Sequence, residues 1–217
     1  MGSRIATVVL IIGLVFSFVL LAPKLLDVRL PGIQRGYEPE QPIRYSHRLH
    51  AGEMQIPCQY CHSGAEHSRH AGIPPANVCM NCHKFVTATM GAARAEDELA
   101  AKENRAPRRV ISPELRKLYD ALGLGDDLRP DPAKPQRPIA WVKVHNEPDF
   151  VVFDHRPHVA AGVACQTCHG PVETMERTRQ VSDLTMGWCV NCHRDANRTG
   201  ILGRAVRASI DCSACHY

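Results

Sequence analysis

The chain has 217 residues, of which 44% are hydrophobic, 22% charged and only 6% aromatic, and 26 Lys and Arg against 22 Asp and Glu leave a formal charge of +4. That length suits one ordinary domain or two small ones. So slight a basic excess, with no basic stripe interleaved with aromatics, argues against a nucleic-acid partner. Few aromatics and a negative mean hydropathy leave the polar part of the chain short of side chains for a conventional core.

The first segment, "MGSRIATVVLIIGLVFSFVLLAPK", carries no charge from Ile5 to Ala22. As a helix it would reach about 27 Å, close to the roughly 30 Å of a bilayer's hydrocarbon. The run "VLLAPKLL" offers no small-x-small cleavage site, so an uncleaved signal anchor over 5–22 is expected, with residues 1–4 on the cytoplasmic side. The charges flanking it are nearly balanced, Arg4 and the amino terminus against Lys24 and Arg29, and orient it only weakly. Gly13 and Ser17, small and four apart, would either admit a neighbouring helix or simply face lipid.

Beyond the anchor, all ten cysteines fall into five Cys-x-x-Cys-His pentapeptides: Cys58/Cys61/His62, Cys79/Cys82/His83, Cys165/Cys168/His169, Cys189/Cys192/His193 and Cys212/Cys215/His216. Zinc ribbons take such pairs two at a time, because tetrahedral zinc needs four ligands, and five pairs strand one. A redox dithiol needs one pair in a βαβ setting. Neither these nor disulfides explain a histidine after every second cysteine. Covalent c-type haem explains every position: the two thiols add to the porphyrin's vinyl groups, and the adjacent histidine becomes the iron's fifth ligand. Five covalently bound haems c are therefore expected. Their bulk replaces the missing core, and the fold class expected is mostly irregular, with short α-helices around five stacked haems, one N-terminal transmembrane helix and little or no sheet. Ten propionates, offset by one positive charge per ferric iron, bring the holo-protein to about neutral when oxidised and to about −6 when fully reduced. Haem of this type is fitted after export, so the body is expected on the periplasmic side of a bacterial cytoplasmic membrane.

An internal repeat organises that body. "YSHRLHAGEMQIPCQYCH" (Tyr45–His62) matches "FDHRPHVAAGVACQTCH" (Phe153–His169): an aromatic-x-His-x-x-His element, a short loop, then an attachment motif. "NVCMNCHK" follows the first and "GWCVNCHR" the second. Residues 23–86 thus read as a two-haem module and 139–217 as a three-haem module. Between them, residues 87–138 carry no haem motif. "ISPELRKLYDALGLG" reads there as a helix with Ser112 as N-cap, Pro113 at its first position, Glu114 near its positive end, Leu115, Leu118 and Leu122 on one face, and Gly123 at its end. "RPDPAKPQRP" reads as an extended connector. This insertion would either dock a partner or cover haem edges.

Seven histidines lie outside the motifs. His47 and His155 are expected to cap the haem of the motif that follows each, while His50 and His158, three residues on, would serve a second haem from the same short helix. His70 is a further candidate ligand, and His145 in "WVKVHNEPDF" is one more than five irons require. His67 reads as a surface residue. Met54, Met175 and Met186 are conceivable alternative ligands, although methionine more often simply packs.

The twin "YSHRLH" and "FDHRPH" elements resemble those of class III multihaem cytochromes c. The run "VKVHNEPDFVVFDHRPHVAAGVACQTCHGPVETM…TMGWCVNCHR", with "HAGIPPANVCMNCHK" upstream and one N-terminal helix, more specifically resembles the pentahaem subunit of bacterial alternative complex III, and the multihaem subunit of the periplasmic quinone reductase complex is a close relative of that family. The resemblance covers Tyr45 to Tyr217 apart from the insertion. It implies an electron-transfer subunit that relays electrons from quinol oxidation, alongside integral-membrane and iron–sulfur subunits, to a monohaem cytochrome c or a terminal oxidase. Two readings stand against it: a stand-alone membrane-anchored quinol dehydrogenase of the small multihaem type, and a multihaem reductase, which would need an open haem. No catalytic residue is expected in the chain itself.

Overall fold

A computed structural model describes residues 2–26 and 34–216. Arg29, Tyr217, the side chain of Lys24 and the other positions of 1–4 and 23–86 that fall in the gaps lie outside the described residues. Helix α1 (Gly2–Leu26) is the apolar segment, and its stretch Arg4–Ala22, with mean hydropathy 2.9, is long and apolar enough to cross a membrane. It continues through Pro23 rather than ending there. Its apolar side chains from Ile5 to Leu21 are all exposed, so none of the described residues covers them.

The body consists of short helices joined by irregular chain. Among the described residues there are no strands, only isolated antiparallel bridges at Leu124 with Pro130, Val151 with His216 and Ile201 with Arg204. The five cysteine motifs each sit on a helical turn: α2 (Cys58–Cys61), the end of α4 (Ala76–His83), α8 (Cys165–His169), α9 (Met186–Thr199) and a final 3-10 turn at Cys212–Ala214. In a helix, residues i, i+3 and i+4 share one face, so α4, α8 and α9 each present two thiols and a histidine to the same side, while His62 follows α2 and Cys215 and His216 follow the final turn.

The twin elements differ in backbone. Arg48–Glu53 is a π-helical turn, whereas α7 (His155–Ala161) is a regular helix capped by the Asp154 carboxylate on the Arg156 N–H. Gly162 ends α7 at φ 86°, a left-handed conformation that suits glycine. The π-helical turn packs on the 3-10 turn Val172–Thr174 of the other half, and the approach requires glycine: a Cβ on Gly52 would collide with the Glu173 carbonyl oxygen. Helix α3 (Gly64–His67) packs on α7 in the same way, so the two halves interlock.

The insertion folds as α5 (Met90–Lys102) and α6 (Pro113–Ala121). The Ser112 hydroxyl accepts from the Leu115 N–H, Pro113 takes the first helical position, and Gly123 adopts φ 67° just beyond the end, as the sequence leads one to expect. Helix α5, capped by Thr89, has no counterpart in the sequence reading; its alanine-rich run has the propensity but only a weak apolar face. Tyr119 is fully buried and donates its hydroxyl to the His83 carbonyl at 2.6 Å, docking α6 on the end of α4. The described apolar core is otherwise small: Ala65, Ala100, Leu118, Met175 and Ala196. So few buried side chains cannot organise a body of this size, and a large cavity lies where a core would be.

Candidate cofactor site

The cavity has a volume of about 3480 Å³, several times the roughly 300–1,000 Å³ of an ordinary small-molecule site. All fifteen cysteines and histidines of the five motifs line it, together with His47, His50, His70, His145, His155 and His158; His67 does not. The insertion contributes Met90, Ala93, Leu115 and Leu118 to its wall. A single space this large, ringed by five copies of one ligand set, fits several bulky apolar groups.

Four motif histidines each face a histidine from the twin elements. His47 lies 6.5 Å from His62 and His155 lies 6.4 Å from His169, centroid to centroid, with ring planes only 9° and 8° apart. His50 lies 6.1 Å from His83 and His158 lies 5.9 Å from His193, with planes at 58° and 36°. Two imidazoles that bind one metal from opposite sides, through bonds of about 2 Å each, have centres about 6 Å apart.

The ring nitrogens point the same way. In seven of these eight histidines Nδ1 meets an oxygen: His50 the Ser46 carbonyl at 2.9 Å, His158 the Asp154 carbonyl at 2.8 Å, His62 the Gly72 carbonyl at 2.6 Å, His83 the Val86 carbonyl at 2.8 Å, His193 the Ser209 carbonyl at 2.5 Å, His155 the Arg69 carbonyl at 2.9 Å and His47 the Thr178 hydroxyl at 3.0 Å. A carbonyl can only accept, so in the six that meet one the proton sits on Nδ1 and the Nε2 lone pair is left for a metal. Burial, followed by the neighbouring His62 and His50, pushes His47 down to about 4. Burial, then His145, His155 and His62, does the same to His169, also to about 4. Both are therefore neutral near pH 7, as iron ligation requires.

The aromatic that opens each twin element has a plain role. Tyr45 stacks on His50 at 4.4 Å and turns its edge to His47 at 4.9 Å, while Phe153 does the same to His158 at 4.7 Å and His155 at 4.8 Å. One ring thus fixes two imidazoles. Burial also pushes the Tyr45 hydroxyl far above its ordinary range.

The other candidates fall elsewhere. His145 places Nε2 3.2 Å from Nδ1 of His169, with ring centroids 4.4 Å apart and planes at 77°. Among the described residues no histidine ring stands opposite His216; the nearby ring is Phe150, at 5.7 Å. His70 is exposed and lines the cavity beside Arg69, whose guanidinium donates to the carbonyls of Phe153 and Val151. His67 lies outside the cavity beside Glu66 at 3.8 Å. Met54 and Met186 line the cavity, and Met175 is buried with its carbonyl taking the Arg48 N–H.

Neither competing chemistry finds its geometry. All ten cysteines are free thiols, and among the described residues no group of three or more His, Cys, Asp or Glu converges as a tetrahedral zinc site would require. The residues fit haem c instead: paired thiols on one helical face, one histidine beside each pair, and a second histidine facing four of the five. What sequence reading missed is the second layer, Thr178, Arg69, Gly72, Val86 and Ser209, and the place of His145 beside His169. Only the i−4 carbonyl partners, Ser46 and Asp154, follow from local spacing.

Residues 151–217 match the family described as cytochrome c7 and related cytochrome c. A curated relative, the multiheme cytochrome c subunit of the menaquinone reductase of Nitratidesulfovibrio vulgaris (strain ATCC 29579 / DSM 644 / CCUG 34227 / NCIMB 8303 / VKM B-1760 / Hildenborough), is 25% identical over 82% of this chain and 77% of its own length. Both matches are to multihaem cytochromes c, whose haem is covalently bound, and both imply electron transfer.

Proposed function

We propose that this chain is a pentahaem c-type electron relay, anchored by α1 in the bacterial cytoplasmic membrane with its body on the periplasmic face, and that it serves a quinone-linked respiratory complex of the alternative complex III type. The observation that carries the reading is the set of four facing histidine pairs along one cavity. Haem c, when bound, supplies a one-electron iron couple at each site. The chain's own residues attach, ligate, orient and space those sites. In this reading two strong protein ligands at His47/His62, His50/His83, His155/His169 and His158/His193 leave no position open to substrate, as suits relay rather than catalysis.

The five attachment sites form one file. His47 and His50 on a single turn join the first site to the second, and His155 and His158 on α7 join the third to the fourth. The first and third meet where Cys58 and Cys165 are near neighbours. The fourth and fifth are joined where the Ser209 carbonyl, three residues before Cys212, holds His193. The order in space is thus 79–83, 58–62, 165–169, 189–193, 212–216. One end lies under α6 of the insertion, which covers its site; the other is the C-terminal turn. His70 is the remaining candidate to face His216, because Arg69 is tied to Val151 and Val151 bridges His216. Residues 23–86 and 139–217 act as the two-haem and three-haem modules.

Partners follow from the family resemblance: integral-membrane and iron–sulfur subunits carrying the quinone chemistry, lipid around α1, and a monohaem cytochrome c or terminal oxidase as acceptor. The relative's menaquinone reductase name favours a second reading in which electrons run the other way, toward the quinone. Gentle solubilisation of native membranes and isolation by haem absorbance tests both. Recovery with polytopic and iron–sulfur subunits in fixed ratio, with haem reduced by a quinol analogue, is expected. Haem that only a quinone can oxidise points to the second reading, and recovery of the chain alone, still reducible by quinol, overturns both in favour of a stand-alone dehydrogenase.

A further inference from the structure

Eight histidines are paired across the cavity, and for seven of them Nδ1 is held by an oxygen. His169 is the exception, because its Nδ1 meets the Nε2 of another imidazole, His145, at 3.2 Å. In the matching place of the first half, His62 donates instead to the Gly72 carbonyl at 2.6 Å. The repeat is thus broken at one point, by a residue whose spacing in sequence suggests an iron ligand.

We infer that His145 is a positioning residue for the third site: it accepts the Nδ1–H of His169 and so sets the electron-donating strength of that ligand. The inference rests on the reading above that His169 binds iron through Nε2. With Nε2 so engaged, the ring's one proton is on Nδ1, and His145 can receive it only through an unprotonated Nε2, its own proton being on Nδ1. The two nitrogens are within hydrogen-bond reach at 3.2 Å, with the ring planes nearly perpendicular at 77°. An acceptor on a ligand's outer nitrogen gives the imidazole more imidazolate character, raises its basicity and favours the ferric state. An imidazole nitrogen is a stronger base than the carbonyl oxygen that serves His62, so the third site is biased toward a lower potential than its twin, in the middle of the file.

Two variants of the full chain, purified with its native partners, test this: His145→Phe, which keeps the ring and removes the acceptor, and His145→Gln, whose amide oxygen can still accept. Haem count, spin state and redox titration are read on each. The expected result is five haems in both, no new high-spin signal in either, an upward shift of one midpoint in His145→Phe, and a midpoint near the native value in His145→Gln. A high-spin signal equal to one haem in both variants overturns the inference by making His145 an iron ligand. Unmoved midpoints in His145→Phe overturn it by making the residue mere packing, and loss of a haem from both variants overturns it by making the residue structural. Failure of the underlying reading is separate and shows in the unmodified chain, as fewer than five haems.

Discussion

The two twin elements reach the same imidazole geometry by different backbones. In the first half Tyr45, His47 and His50 lead into a π-helical turn, and in the second Phe153, His155 and His158 begin a capped α-helix. Even so, the pairs repeat to within 0.2 Å in ring separation: 6.5 against 6.4 Å and 6.1 against 5.9 Å. What the repeat conserves is an aromatic that stacks on one histidine and edges another, three residues apart, not a helix type. The halves also hold each other's histidines. His47 is tied to Thr178 of the second half and His155 to Arg69 of the first, so neither half orients these rings alone.

The largest effect should come from breaking the shared pattern outright. Replacing Cys58 and Cys61 together by alanine removes the site that joins the second to the third. Mass spectrometry and the pyridine haemochrome should read four haems per chain, and time-resolved reduction should show the 79–83 site cut off from the other three. Equal, uninterrupted reduction of all four would contradict the proposed file.

Next come the contacts between the halves. Gly52→Ala forces a Cβ against the Glu173 carbonyl, backbone that cannot swing aside, and should cost about 1–3 kcal/mol in thermal or denaturant unfolding. An unchanged midpoint would mean that the halves are not held at this point. Thr178→Val takes the hydroxyl partner from His47 and should cost about 0.5–1.5 kcal/mol. It should also raise the potential of one site alone, leaving the site of His155 where it was; titration of all five midpoints reads this.

The smallest effect concerns the insertion, which has no twin. A hydrogen bond from Arg105, helped by the Arg108 N–H, lowers Glu96 from its ordinary 4.5 to about 2. Since the folded state holds this carboxyl below its ordinary value, the tie contributes in full above about pH 4.5 and is lost as the pH falls toward about 2. Glu96→Gln should remove that part of the acid sensitivity, read as hydrogen exchange along α5, and leave behaviour near neutral pH little changed. Identical acid profiles for the two proteins would refute it.

Much of this was legible in the sequence, for physical reasons. Cys-x-x-Cys-His carries its chemistry in five residues, and a helical turn then aims it. The Ser112–Gly123 helix carries its own start and stop signals. A lack of strands follows from a chain with few residues to spare for a core. The Nδ1 partners were not legible, because Thr178 and His47 are brought together only by the fold and a backbone carbonyl leaves no signature. His145 shows the same limit, since its contact with Nδ1 of His169 is made only by the fold.

The most direct test of the central claim is to count haems per chain and resolve their ligation in the unmodified protein, by haemochrome assay together with electron paramagnetic resonance. The account predicts five haems, with at least four low-spin and bis-histidine, two of these with nearly parallel imidazole planes and two with planes turned by 58° and 36°. Fewer than five haems, or zinc in their place, would contradict it.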